Sequence, residues 1–478
     1  TVNNLSVSYN KIMHIASPFF KNSLNNNFFW FSKKTFFLDN NRISEEGMLK
    51  RTKEELIMSS IKIVSPESVG LDSKVLSNIR KYLEEQYVNP GKLVGTLTLV
   101  ARKGEVAYLD ALGFMDREKK QAMQEDAIFR IYSMTKPITS IAFMQLYEKS
   151  LFRLDDPVHW YIPSWKNLRV YQSGVYPNFL TSRPKRYMTI RDLMTHMSGL
   201  TYHFMYRTNV DAAYRILGVG THGRFGEEGA LGHKKTGDGL EEMVNMIATL
   251  PLEFSPGEQW NYSVSTDVLG YLIEHFSGMK LDEYFQKNIF GPLAMQDTGF
   301  ICPKDKLDRL TSCYEHQVNE EPKLVDPQED SWTTRESIFL SGGGGLVSTM
   351  SDYYNFASML LNQGELNGVR IIGRKALQMM SSNHLPGGQD LTEMSQSAFS
   401  ETPFKGIGFG LGFSVMLDPV KSQVLSDPGE FGWGGMASTI FWVNPKEKMV
   451  VIFLTQLIPS ATYQIRRELR TLSYSALI

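Results

Sequence analysis

A hydroxyl, an amine and a phenol that could pass a proton among them stand out along the chain: Ser133, Lys136 and Tyr262. The first two lie in RIYSMTKPITSIAFMQLYE, residues 130–148, three positions apart and just ahead of Pro137. Proline is tolerated in a helix only within the first turn, where its missing N–H had no partner to lose. A helix beginning at about Ser133 is therefore expected, with Ile138, Ile141, Ala142 and Leu146 recurring at helical spacing toward a core. Positions i and i+3 project from one face. A hydroxyl there sits at the positive end of a helix dipole beside a cation, and both favour the alkoxide. A lysine buried in such a place acts as a general base. Ser-x-x-Lys alone also fits a capping serine followed by a solvated lysine, so the motif needs company.

Two further stretches supply it. FSPGEQWNYSVSTDVLGYLIE, residues 254–274, places Tyr262 just before an amphipathic helix, where a phenol could relay a proton between Ser133, Lys136 and a leaving group. EFGWGGMASTIFWVN, residues 430–444, reads as a strand opened by glycines, where a backbone can approach a ligand closely. With Ser-x-x-Lys, then Tyr, then a Gly-containing strand, the chain resembles the serine β-lactamase and penicillin-binding protein superfamily. Within it the look-alikes are the class C β-lactamase-like enzymes called family VIII carboxylesterases, with the statin-type acyltransferases near them. The resemblance runs over roughly residues 60–475 and includes LFRLDDPVHWYIPSW, MTIRDLMTHMSGL and SGGGGLVSTMSDYYNFASML.

The resemblance implies that Ser133 is the acyl-accepting nucleophile, that Lys136 activates it, and that Tyr262 serves as general base and then acid. It places the oxyanion hole at the backbone N–H groups of Ser133 and Met436, with Trp433, Gly434 and Gly435 beside the substrate. Relatives that take β-lactams carry Lys-Thr-Gly where this chain has Trp433-Gly434-Gly435, and Tyr-x-Asn where it has Tyr262-Ser263-Val264. Tryptophan offers one donor and no charge. Both departures favour neutral esters over anionic lactams or peptides, and a pocket between two packed domains favours short acyl chains; lactamase, D-alanyl peptidase and acyltransferase activities are the alternatives. Lys235-Thr236-Gly237 matches the lactamase triplet literally, but it precedes Tyr262 in a Gly-rich stretch without strand pattern and reads as a lid loop.

The elements that must position these residues follow from periodicity. The second half of MSSIKIVSPESVGLDSKVLSNIRKYLEEQYV, residues 58–88, places Leu76, Ile79, Tyr82 and Leu83 on one helical face, and residues 95–116 read as two strands around a Lys-Gly turn. Residues 437–457 are two apolar strands around Asn-Pro-Lys, followed by a final helix. Strands at both ends around a helical middle predict an α+β fold, an antiparallel sheet flanked by helices with an inserted, mostly helical domain. The expected division is a sheet domain of residues 58–132 and 335–478 and a helical domain of residues 133–334, with a lid loop at about 202–245. Residues 1–57, rich in Asn and Phe, read as a poorly packed or non-native leader.

The 478 residues carry a formal net charge of −1, which provides no electrostatic footprint for nucleic acid. A spanning helix needs about 18 apolar residues in a row, and no such run occurs. No secretory signal is evident, so a cytoplasmic location is the default expectation. The partner expected is a small-molecule ester; no cofactor and no metal are required. Cys302 and Cys313 could pair with each other, but two separate structural thiols is the favoured reading. No Gly-x-Ser-x-Gly elbow occurs. His196 is expected to hold structure through a hydrogen bond, Gly342–Gly345 to form a turn, and Asp267 either to tune Tyr262 or to orient nearby backbone. Trp160, Trp165, Tyr202, Phe204 and Tyr206 are candidates for an acyl pocket among aromatics that mostly build core.

Overall fold

The computed structural model describes residues 61–220, 239–335, 339–395 and 405–478, all within one unit spanning Ser59–Ile478. The expected leader and Lys235-Thr236-Gly237 lie outside the described residues.

Eight strands form one antiparallel sheet. They are β1 (Gly95–Arg102), β2 (Glu105–Asp116), β3 (Gln121–Ala122), β4 (Ile407–Phe409), β5 (Ser414–Met416), β6 (Phe431–Gly434), β7 (Ile440–Asn444) and β8 (Met449–Leu454). Their order is β4-β5-β6-β7-β8-β1-β2-β3, so strands from the two ends of the chain meet where β8 pairs with β1. The β1–β2 hairpin turns on Lys103 and Gly104, both at positive φ (+55° and +86°), as a tight two-residue turn requires.

The helices that matter here are α1 (Ser73–Leu83), α2 (Thr135–Glu148), α3 (Asn209–Leu217), α4 (Leu240–Ile247), α5 (Ser265–Ser277), α6 (Met350–Leu361) and α7 (Ile465–Tyr474). Side chains alternate across a strand, and β8 shows the consequence. Val450, Ile452 and Leu454 join the cluster that includes Ile138 and Ile141 of α2. Met449, Val451 and Phe453 join Leu76, Ile79 and Leu83 of α1 and Ile465 and Leu469 of α7. Burial on both faces is why MVVIFL reads as a continuous apolar run rather than an alternation. Each such side chain contributes about 1.5–3 kcal/mol when fully buried.

Helix α2 is buried from Thr135 to Met144, on every face. Although it carries the polar Thr135, Lys136, Thr139 and Ser140, this helix packs against α5, and its Ile138 and Ile141 share a core cluster with β8. It begins slightly later than expected: Tyr132–Met134 form a 3-10 turn and regular α-helix starts at Thr135. Pro137 is the third residue of α2, still within the turn whose N–H groups have no helical acceptor.

Two expectations need correction. The stretch 202–245 is not an uninterrupted lid loop, because α3 and α4 occupy parts of it. Thr208 caps α3 in a reciprocal capping box with Asp211, Gly218 closes it at φ +73°, and Val210, Ala213 and Tyr214 bury its inner face. Residues 430–444 are not one strand either: Gly432 and Gly434 lie in β6, Gly435 falls in the turn after it, and β7 begins at Ile440. The middle of the chain also holds a β-hairpin, Val170–Val175 with Asn178–Ser182. Cys302 and Cys313 are buried in different apolar clusters and are not joined in a disulfide. Among the described residues no helix is long and apolar enough to cross a membrane.

Candidate active site

Tyr132, immediately before Ser133, adopts φ +43°. A bulky residue in the left-handed region costs roughly 1–2 kcal/mol. The sharp turn leaves Ser133 half-buried while its neighbours Tyr132 and Met134 are buried. From the next turn Lys136 reaches back along the same face, and its Nζ donates to Ser133 Oγ at 3.3 Å. From the residues before α5, Tyr262 donates to the same oxygen at 2.7 Å. The two candidate proton carriers therefore converge on one hydroxyl, although Tyr262 and Ser133 are 129 residues apart in the chain.

Lys136 is buried at 2% exposure, and its surroundings explain how. Nζ also donates to the Gly343 carbonyl at 2.6 Å and lies 4.5 Å from the Tyr262 ring centre and 5.2 Å from that of Tyr202. A carbonyl and two aromatic faces thus take the place of water around the buried Nζ. Asp267 builds this cradle. Its buried carboxylate accepts from Gly343 N at 2.9 Å and from the hydroxyls of Ser341 and Tyr202. A Cβ at residue 343 would come within 2.4 Å of Asp267 Oδ2, so this part of the turn requires glycine. Burial, partly offset by Lys136 and these donors, raises the Asp267 pKa. Of the two roles considered for Asp267, the hydrogen bonds favour orienting backbone. That a glycine carbonyl of the Gly342–Gly345 turn would hold the lysine was missed; the Gly run marked a turn but not its target.

His196 forms no part of a triad in this geometry. Its Nδ1 lies 3.2 Å from Ser263 Oγ and its ring packs 5.0 Å from that of Tyr262. Burial, with the Lys136 charge nearby, holds its pKa well below the usual imidazole value, so it stays neutral. Among the aromatic candidates, Tyr202 packs against Tyr262 and Phe204 lines the cleft. Trp165 is core, whereas Trp160 and Tyr206 are 62% and 75% exposed.

The cleft above Ser133 encloses about 920 Å³ together with the solvent that opens into it, and Tyr262, Trp433, Gly434, Gly435 and Met436 line it. Trp433 projects from β6 with its ring 5.6 Å from Tyr262, giving the cleft an apolar wall. The two glycines serve different neighbours. A Cβ at residue 434 would meet the Arg466 guanidinium at 2.6–2.8 Å, and one at residue 435 would meet Ile131 O at 2.5 Å. Glycine at residue 435 thus lets the β6–β7 turn press directly on the segment that carries Ser133.

The sequence pattern of the Beta-lactamase family matches residues 81–474. The chain belongs to the Beta-lactamase family. It is 31% identical over 373 residues to Protein Rv1367c of Mycobacterium tuberculosis, covering 77% of this chain and 87% of that protein. It is 27% identical over 410 residues to Esterase EstB of Burkholderia gladioli, covering 82% and 93%. In fold it is similar to EstCE1, described as a hydrolase with promiscuous acyltransferase activity, at a TM-score of 0.66 and 24% identity, covering 84% of this chain and 99% of that one. Family membership bears out the superfamily resemblance read from the Ser, Lys, Tyr and Gly-strand motifs, and the fold is the one that resemblance implied.

Proposed function

We propose that this protein is a serine carboxylesterase that cleaves neutral, short-chain esters through an acyl-enzyme on Ser133. The observation that carries the reading is the convergence of Tyr262 Oη and Lys136 Nζ on Ser133 Oγ, at 2.7 and 3.3 Å. With one proton fewer on the Lys136–Tyr262 pair, as neutral amine beside phenol or ammonium beside phenolate, that pair accepts the Ser133 proton while Oγ attacks the ester carbonyl. The oxyanion is held by the N–H groups of Ser133 and Met436, backbone donors of a kind worth about 3–4 kcal/mol to the transition state. Tyr262 then protonates the departing alkoxide, and the alcohol leaves. Water repeats the sequence on the acyl-enzyme: Tyr262 takes its proton, Ser133 recovers one, and the carboxylic acid is released.

Trp433 supports neutral substrates, because an apolar ring stands where lactam-binding relatives present a cation. Phe204, Tyr262 and Trp433 together favour a small acyl group over the nucleophile. The similarity to Esterase EstB points the same way. A second reading, transfer of the acyl group to an alcohol instead of water, is favoured by the likeness to EstCE1, and product analysis with an added alcohol acceptor tests it. Lactam turnover remains a side activity in this reading, and nitrocefin hydrolysis rivalling ester hydrolysis would reverse the ranking. The main test compares p-nitrophenyl acetate and butyrate hydrolysis by wild type and Ser133→Ala. Equal rates would refute it.

A further inference from the structure

The proposed reaction needs the Met436 N–H held in a fixed direction, yet Met436 lies in the turn between β6 and β7 and not in a strand. The geometry points to Arg466, in the first turn of α7, as the positioning residue for this oxyanion donor, an inference that rests on the reading of Ser133 as nucleophile. Its Nη2 donates to Gly435 O at 2.7 Å and to Thr439 O at 3.0 Å. Thr439 O also accepts from Gly435 N at 2.8 Å. One guanidinium nitrogen thus ties both ends of the turn together.

The Gly435 carbonyl and the Met436 N–H belong to the same peptide unit. In a planar trans peptide these two bonds point in opposite directions. By gripping the carbonyl, Arg466 fixes the N–H to point away from itself. Neighbouring residues along an extended backbone face opposite sides, and the contacts here follow that rule. The Gly434 side is covered by the Arg466 guanidinium, and the Gly435 side by Ile131 O, two residues before Ser133. The peptide that would carry the oxyanion donor is therefore pressed between the nucleophile's own segment and Arg466.

Helix α7 is itself anchored to the other end of β6. Arg470 Nε donates to Glu430 Oε1 at 3.0 Å, and the Tyr474 hydroxyl bonds the same carboxylate. The placement of Arg466 also runs against local preference, since a cation in the first turn of a helix opposes the macrodipole. Its two carbonyl acceptors explain why it is nevertheless there. Arg466 lines the cleft as well, so its contribution must be separated from direct substrate contact.

Three variants and a control separate these roles. Arg466→Ala deletes the brace, Arg466→Lys shortens it, and Gly434→Ala displaces the guanidinium without removing it. Arg467→Ala, whose side chain donates to the Gln423 carbonyl, is the control. The readouts are kcat and KM on p-nitrophenyl acetate, the affinity of a phenylboronic acid that mimics the tetrahedral state, and the thermal midpoint. Arg466→Ala is expected to lose roughly 10- to 100-fold in kcat while KM changes by less than about threefold. Boronate affinity should fall in parallel with kcat/KM. Gly434→Ala and Arg466→Lys should move the same way to a smaller extent, Arg467→Ala should change nothing, and added guanidinium should partly rescue Arg466→Ala. A raised KM with kcat intact, or a lower kcat without weaker boronate binding, overturns the inference. If Arg466→Ala does not fold, the Lys and Gly434 variants decide by the same criteria. Failure of the underlying reading is seen separately, as activity surviving in Ser133→Ala.

Discussion

Gly435→Ala tests whether the approach of the β6–β7 turn to the segment of the proposed nucleophile, Ser133, matters for chemistry. Gly435 is not among the residues at positive φ, so alanine brings a steric effect and no backbone strain. Its Cβ would stand 2.3 Å from Thr439 Oγ1 and 2.5 Å from Ile131 O, where ordinary contact begins near 3.4 Å. The threonine hydroxyl can rotate away. Ile131 O cannot, because it belongs to the backbone leading into Ser133. Relief therefore requires about 0.9 Å of separation between Ile131 and the turn, the gap between 2.5 and 3.4 Å. The two proposed oxyanion donors, on Ser133 and Met436, move apart with it. A misplacement of that order costs about 100-fold in rate, equivalent to about 2.7 kcal/mol of transition-state stabilisation. Overpacking should also cost about 1–3 kcal/mol of stability. The assay is kcat/KM on p-nitrophenyl acetate beside a thermal midpoint. A folded Gly435→Ala variant that keeps kcat/KM within about threefold of wild type would refute the account of this contact.

Tyr262→Phe keeps the ring that packs on Trp260 and Trp433 and deletes only the hydroxyl at 2.7 Å from Ser133. A drop of about 10²–10⁴ in kcat/KM with little change in melting temperature is expected, and near-normal activity would remove Tyr262 from the mechanism. Burial pushes Glu253 and Asp352 each up to about 6. Their folded pKa values exceed the unfolded ones, so the native chain binds more protons and this contribution to stability is fully present below about pH 4. It is lost as pH rises through 6. Glu253→Gln with Asp352→Asn should therefore flatten the fall in melting temperature between about pH 5 and 7.5, and unchanged slopes would count against it. Burial also pushes the Cys302 thiol up to about 11. A disulfide-exchange reagent should leave the native thiols nearly untouched and titrate both Cys302 and Cys313 after denaturation. Rapid reaction of the native protein would contradict their burial.

Legibility in the sequence followed the range of the forces involved. Proline in the first turn of a helix, the Lys-Gly hairpin turn, the amphipathic face of α1, the final helix α7 and the apolar strands β7 and β8 are set by backbone sterics and short-range periodicity, so they could be read directly. Helix α3 was missed although its capping box, Thr208 with Asp211, and its closing Gly218 are local signals; the neighbouring Gly-rich stretch masked them. The i, i+3 spacing placed Lys136 beside Ser133 for the same local reason.

Ser133, Lys136, Tyr262 and the Trp-Gly-Gly stretch could be named by type and order from the chain alone, because residue chemistry and near-neighbour spacing are written into it. The structure decided how they meet. The Gly343 carbonyl around Lys136, Asp267 beneath that turn, Ile131 against Gly435 and Arg466 on its carbonyl are contacts between segments distant in sequence. Such contacts depend on how the sheet, α2, α5 and α7 pack together. Packing is a cooperative property of the whole core, and no local spacing rule encodes it.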